Sequence, residues 1–167
     1  GLSAGCIPIV GYNIGAKRSD RAAELLKYLL AAEFLVGIIA TVIFEAFPQQ
    51  LINIFGAKNE SIHYTNFAIR CIRLLLCATP LACFNKGVFI YLQALGKAAA
   101  STALSILREV VFGVGLVLIL PIFFGLDGIL YFMAVADILT FIASLAAVKM
   151  IFRRLSEPNS GFDGYKK

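Results

Sequence analysis

Charge is scarce in this sequence, histidine occurs once and tryptophan not at all: 15% of the 167 residues are Asp, Glu, Lys or Arg. That shortage excludes an ordinary soluble domain, in which about 25% of residues are charged and about half are apolar. Here 60% are hydrophobic and the mean hydropathy is +0.86. The single histidine, His63, has no companion ligands at the spacing a metal site requires and reads as an interfacial residue near a helix start. Cys6, Cys71, Cys77 and Cys83 sit in apolar stretches without C-x-x-C spacing, which argues against a zinc site or a disulfide framework. They count as small hydrophobes. No Ser/His/Asp, metal or phosphate-binding constellation appears, so an enzyme is not expected and no cofactor is called for. The net charge of +5 is spread between apolar segments with no aromatic-interleaved basic face, and nucleic acid is therefore not an expected partner.

What is present is a series of long apolar runs. A bilayer span needs about 20 predominantly apolar residues, and four such runs fit, plus a shorter one at the start. The fold class expected is all-α, a polytopic membrane helix bundle with four full transmembrane helices and the end of a fifth, with the lipid bilayer as its medium. The opening run, 1–12, has no initiator Met and no basic n-region. It is not a signal peptide, and the start of this helix, with more protein before it, is expected to lie ahead of the sequence. Gly11-Tyr12-Asn13-Ile14-Gly15-Ala16 closes this run into the charged stretch Lys17-Arg18-Ser19-Asp20-Arg21, a helix exit. Ser19 and Asp20 are the candidate N-caps of the next helix.

The first full span is expected over 25–47, ending at Pro48. A short interfacial patch at 51–55 and a turn over 56–60 follow. The second span, 62–95, contains Pro80 as an expected kink. The third covers 98–121 and ends at Pro121, and the fourth covers 128–151 after a Phe124 to Gly128 turn. Residues 156–167 read as a disordered polar tail. Lys17, Arg18, Arg21, Lys27, Lys97, Lys149, Arg153 and Arg154 fall at one end of the bundle in this layout, and Lys58, Arg70 and Arg73 toward the other. Short cytoplasmic loops carry the Lys/Arg excess, which predicts a cytoplasmic C-terminus.

Ionisable groups at bilayer depth are costly and mark pairs, cavities or pathways. Lys86, Arg108, Glu109 and Asp137 fall near the middle of their spans, and two antiparallel spans joined by the Phe124 to Gly128 turn bring Arg108 and Asp137 to comparable heights. These four either line a water-filled cavity for substrate or protons, or form a structural salt bridge. Glu33, about 9 Å from the cytoplasmic end of its apolar run at helical rise, and Glu45 read as snorkelling or interfacial. Arg70 and Arg73 share a helix face and suit headgroup contact or a cap on neighbouring helix ends. Gly113-x-Gly115 and the small residues of 98–103 permit close helix approach. The fourteen Phe and six Tyr read chiefly as lipid-facing surface.

Pro8-Ile9-Val10-Gly11-Tyr12-Asn13-Ile14-Gly15-Ala16-Lys17 resembles a signature of the MATE family, the multidrug and toxic compound extrusion transporters. Further likenesses follow in order: Leu74 to Pro80, Gln93-Ala94-Leu95-Gly96-Lys97, Ser105-Ile106-Leu107-Arg108, Leu120-Pro121 with Phe124-Gly125-Leu126-Asp127-Gly128, and Ala136-Asp137. The resemblance implies that 1–155 is a partial C-terminal lobe, with 1–13 the end of helix 8 and 25–47, 62–95, 98–121 and 128–151 helices 9 to 12. It implies a multi-pass protein of a bacterial cell membrane that exports amphipathic, often cationic compounds in exchange for H+ or Na+. Its N-terminal lobe would be a missing partner, and the segment would be inactive alone. Pro8, Gly11, Tyr12, Asn13, Gly15 and Lys17 form the family-motif loop. Ile7 and Glu109 depart from the usual Gln at their positions. Two alternatives stay open: a flippase for lipid-linked saccharide precursors, and an inert truncated membrane protein.

Overall fold

The computed structural model describes residues 1–54 and 62–156, so the turn expected at 56–60 and the tail beyond 156 lie outside the described residues. In chain order the helices are α1 (Leu2–Gly15), α2 (Ser19–Ala46), α3 (Pro48–Ile54), α4 (Ile62–Leu76), α5 (Thr79–Ala94), α6 (Ala98–Ile106), a π-helical segment (Leu107–Val114), α7 (Gly115–Phe124) and α8 (Leu126–Ser156). Every described element is helical, and four stretches are long and apolar enough to cross a membrane: Ser19–Ala46, Ile62–Ala94, Ala98–Phe124 and Asp127–Leu155. The expected all-α membrane bundle of four full spans and a shorter opening helix is thus the observed architecture.

Helix α5 is the central post, packed against α1, α2, α6 and α8. The main core lies along it: Val10 of α1, Leu26, Leu29 and Leu30 of α2, Val88, Phe89, Tyr91 and Leu92 of α5, and Ala147, Ile151 and Leu155 of α8. The Tyr91 hydroxyl, inside this core, donates to the Ala22 carbonyl at 2.5 Å, because a buried phenol requires a partner. Outward faces stay apolar: Phe34, Leu35, Val36, Ile38 and Ile39 of α2 and Leu118, Ile119, Ile122, Phe123 and Phe124 of α7 are exposed. A helix apolar on its exposed side suits lipid or a further helical partner. Phe84 and Phe141 pack edge-on at 4.9 Å, so not every phenylalanine serves the outer surface.

Turn chemistry sets the ends. Lys17, at φ 57°, lets its own N–H reach Ile14 O at 3.0 Å and the Arg18 N–H reach Asn13 O at 2.9 Å, the paired bonds of a Schellman closure. Gly96, at φ 74°, repeats the arrangement through Gln93 O and Leu92 O at 2.9 Å each. After this reversal α2 starts directly at Ser19, with Arg18 in the cap position and no side-chain cap. The two expected caps, Ser19 and Asp20, instead lie in the first turn, where the Asp20 carboxylate meets the positive end of the helix dipole.

The second span is broken, not merely kinked. Cys77 and Ala78 separate α4 from α5, and Pro80 occupies the first turn of α5. Pro80 lacks the N–H that would continue the ladder to Leu76 O, and the Thr79 hydroxyl donates to that carbonyl at 2.6 Å instead. The break is seated on α2 at Gly37, where a Cβ would fall 2.5 Å from Pro80 Cα. Pro121 does not end the third span: α7 runs on to Phe124, as membrane helices tolerate interior proline where freed carbonyls find other partners. The reversal comes at Gly125, whose φ 59°, ψ −141° is a conformation essentially reserved for glycine.

Candidate site: a charged groove beside the central helix

Arg108 leaves the π-helical segment and reaches Asp137 of α8, with Nε 2.7 Å from Oδ1 and the two side chains 12% and 5% exposed. Its other arm, Nη1, holds the Glu109 carboxylate, which is itself 69% exposed. Arg108 thus bridges a buried carboxylate and an open one. Side chains buried this far are sustained only when paired and hydrogen-bonded. Behind the pair, Asn85 of α5 donates from Nδ2 to the Asp137 backbone carbonyl at 3.1 Å. The π winding is a local device, rare and frequent at functional sites.

In front of the pair lies a groove of about 220 Å3 lined by Lys86, Phe89, Ile90, Gln93, Ser105, Arg108 and Glu109. Three of the four intramembrane charges singled out in the sequence therefore share one concavity. Asp137 belongs to the same cluster but sits behind Arg108 and does not line the groove. The wall offers an ammonium, a guanidinium and a carboxylate next to an aromatic ring and an aliphatic side chain, surroundings that suit an amphipathic guest.

Polar groups invisible to the charge count complete the layer. Ser101 is fully buried and donates to Phe89 O at 2.8 Å, while Gln93 donates to Ser101 Oγ at 3.1 Å. Thr140 is equally buried and donates back to Ala136 O at 2.7 Å. Asn85 Oδ1 and Ser144 Oγ are buried without a partner among the described residues. Their sequence signal was modest: single polar residues interrupting apolar runs.

The motif loop stands apart. Of Pro8, Gly11, Tyr12, Asn13, Gly15 and Lys17, Asn13 is the buried member, donating to Ile9 O at 2.8 Å, and Tyr12 is 71% exposed. Asn13, Arg21, Glu24, Leu25 and Tyr28 line a second, open groove of about 420 Å3. No hydrogen bond or ion pair joins this loop to the Arg108 cluster among the described residues.

The remaining charges fall where helix ends need them. Arg73 pairs with Glu45 at 3.3 Å and donates to the Glu45 carbonyl at 3.4 Å, in the last turn of α2. Arg70 pairs with Asp127 at 3.0 Å, at the start of α8. At the opposite end Lys27 lies over the Phe152 ring at 5.6 Å, and burial followed by the charge of Arg154 holds the Lys97 ammonium below its ordinary pKa. Glu33 is a correction to the snorkelling expectation. Its carboxyl turns inward to accept from the Ser3 hydroxyl of α1, and Ser3 is 4% exposed.

Comparison with known proteins places this geometry. The MatE family model matches residues 1–119. Multidrug export protein MepA of Staphylococcus saprophyticus subsp. saprophyticus is 24% identical over 156 residues, covering 93% of this chain and 34% of that protein. MepA of Staphylococcus aureus is 20% identical over 160 residues, covering 96% and 34%. This chain therefore spans about a third of the length of these relatives. A solved structure described as the inward-facing conformation of a multidrug resistance MATE family transporter of the MOP superfamily superposes with a TM-score of 0.77 at 19% identity, over 90% of this chain and 36% of that one. The fold is shared, the family model covers more than half of the sequence, and the chain belongs to the MatE family.

Proposed function

We propose that this chain forms part of the C-terminal lobe of a multidrug exporter, with α1 as the end of helix 8 and the four spans as helices 9 to 12. The complete protein exports amphipathic, often cationic compounds in exchange for H+ or Na+ by alternating access, and this chain supplies one wall of its cavity. The observation that carries the reading is the Arg108–Asp137 pair behind a groove lined by Lys86, Glu109, Phe89 and Ile90. Charge held at membrane depth marks a pathway when it borders a cavity, and the aromatic and aliphatic wall accepts the apolar part of a guest. The MepA relatives, named as multidrug export proteins, support the same direction.

In the proposed orientation the Lys27, Lys97 and Arg154 end faces the cytoplasm of a bacterial cell and the Arg70–Asp127 and Arg73–Glu45 pairs face outward, following the positive-inside rule. Alternating access rocks one repeat against another around a midplane site, so a single wall does not transport. The test is efflux of ethidium from cells making the complete transporter or this chain alone, at matched membrane abundance. Efflux by the complete protein and none by the chain is the expected result. No efflux by the complete protein refutes the exporter reading.

A further inference from the structure

The groove of about 420 Å3 between the end of α1 and the start of α2, lined by Asn13, Arg21, Glu24, Leu25 and Tyr28, lies apart from the Arg108 cluster. Arg21 and Glu24 stand three residues apart, near enough on a helix to pair, yet no ion pair joins them among the described residues. The Tyr28 hydroxyl donates to Glu24 Oε1 at 3.4 Å, a long bond on an exposed surface. Lys27 turns the other way, over the Phe152 ring of α8, and the Asn13 amide is occupied with Ile9 O. The groove therefore offers one guanidinium and one carboxylate, side by side, open to water and not neutralising each other.

Depth puts this groove in the headgroup layer. The apolar run of α2 begins at Tyr28 and continues to Phe47, enough to cross a hydrocarbon core that takes about 20 residues. At helical rise Glu24 and Arg21 lie about 6 and 10 Å beyond Tyr28, and the headgroup layer is about 5–8 Å deep on each side. A long arginine side chain bends back over the difference, and Tyr28 falls at the boundary where amphipathic rings settle. With 3.6 residues per turn, Tyr28, Leu35, Ile39 and Val42 follow Arg21 along one face of α2, and all four are exposed. From the charged end inward, that face presents guanidinium, carboxylate and phenol, then aliphatic surface.

From this order we propose that the groove is a phospholipid site selecting a headgroup that carries both a phosphate and a primary ammonium, as phosphatidylethanolamine does. Arg21 donates to the phosphate oxygens, in the two-pronged geometry a guanidinium favours. The ammonium, a few atoms further along the headgroup, donates to Glu24 and lies against the Tyr28 ring. The acyl chains run along Leu35, Ile39 and Val42. An anionic headgroup without an amine meets Glu24 as a like charge, and a quaternary ammonium has no N–H to donate to it, so each fits less well. Nothing in this site depends on what the complete protein exports; it requires only that the spans lie in a bilayer.

The test is native mass spectrometry of this chain released from nanodiscs holding equal parts of phosphatidylethanolamine, phosphatidylcholine and phosphatidylglycerol. Retained phosphatidylethanolamine is expected, with about tenfold less of the other two. Arg21→Gln should lower its occupancy about tenfold, and Glu24→Gln should abolish the preference over phosphatidylcholine. Arg18→Gln, which removes the same charge outside the groove, should change neither. Equal retention of the three lipids overturns the proposal, as does undiminished retention in Arg21→Gln. If Arg21→Gln does not insert, Glu24→Gln carries the test, and an unchanged preference there overturns it too. A loss in Arg18→Gln as large as in Arg21→Gln means diffuse attraction, and displacement of the lipid by soluble phosphoethanolamine means that the aliphatic face takes no part; either refutes the site. The complete transporter should retain the same lipid. If it retains none, the groove is a contact with the rest of that protein and the lipid assignment falls.

Discussion

Arg108 Nε lies 2.7 Å from Asp137 Oδ1, joining the π-helical segment of the third span to the middle of α8. The two side chains are 12% and 5% exposed, so each is the other's condition for being there. Asp137→Asn is expected to lower stability by about 3 kcal/mol or more, the usual penalty for stranding one member of a buried pair. Replacing both, Arg108→Met with Asp137→Leu, should recover most of that loss. Thermal unfolding of the detergent-solubilised chain measures both; an unchanged midpoint in Asp137→Asn contradicts the account.

The seat of the broken second span makes a steric prediction. A methyl group at Gly37 falls 2.5 Å from Pro80 Cα, against backbone that has no rotamer to offer. Gly37→Ala should cost about 1–3 kcal/mol, as overpacking does. Gly115→Ala, where nothing lies within 4 Å of the added carbon, should be neutral or slightly stabilising because alanine is the better helix former. The same unfolding assay separates the two.

How much of this was readable in advance depended on the kind of signal. Spans follow from runs of apolar residues, and the pairing of Arg108 with Asp137 follows from helical rise and an antiparallel connection, so both were legible. The break at Cys77 and Ala78 was not, because Pro80 reads equally as a kink or as a first-turn residue until the Thr79 hydroxyl is seen on Leu76 O. Glu33 was misjudged for a related reason. Depth alone suits a carboxylate that bends toward water, and only the placement of α1 puts Ser3 beside it. Asn85 and Thr140 carry no formal charge, so nothing in a census of ionisable groups pointed to them.

Tyr91 gives a smaller and cleaner test. Its hydroxyl is the donor to the Ala22 carbonyl in a site only 1% exposed. Tyr91→Phe keeps the ring packing and should cost about 1 kcal/mol, the net worth of one hydrogen bond. A cost above that of Gly37→Ala would mean the ring, not the bond, had been disturbed.

The outer pairs should behave differently. Arg70–Asp127 and Arg73–Glu45 are about half exposed, and such pairs contribute about 0–1 kcal/mol and weaken in salt. Arg70→Ala is expected to change the unfolding midpoint little, and less still at high ionic strength.

Lys97 predicts a pH effect. Burial, then Arg154, lowers its pKa from the usual 10.5, so the folded chain binds the proton less readily than the unfolded one. Linkage then requires stability to rise with pH from the depressed folded value up to about the unfolded one, and to level off above it. Lys97→Met should remove that rise in a stability profile measured across alkaline pH.

The central claim is that the Arg108–Asp137 pair belongs to the transport path and is not only a lock between helices. The most direct measurement is ethidium export by the complete transporter carrying Arg108→Gln with Asp137→Asn, which removes both charges without stranding either. At membrane abundance equal to the unsubstituted protein, export should fall about tenfold or more, a barrier change of about 1.4 kcal/mol or greater. Export at the unsubstituted rate would contradict the claim and leave the pair a purely structural one.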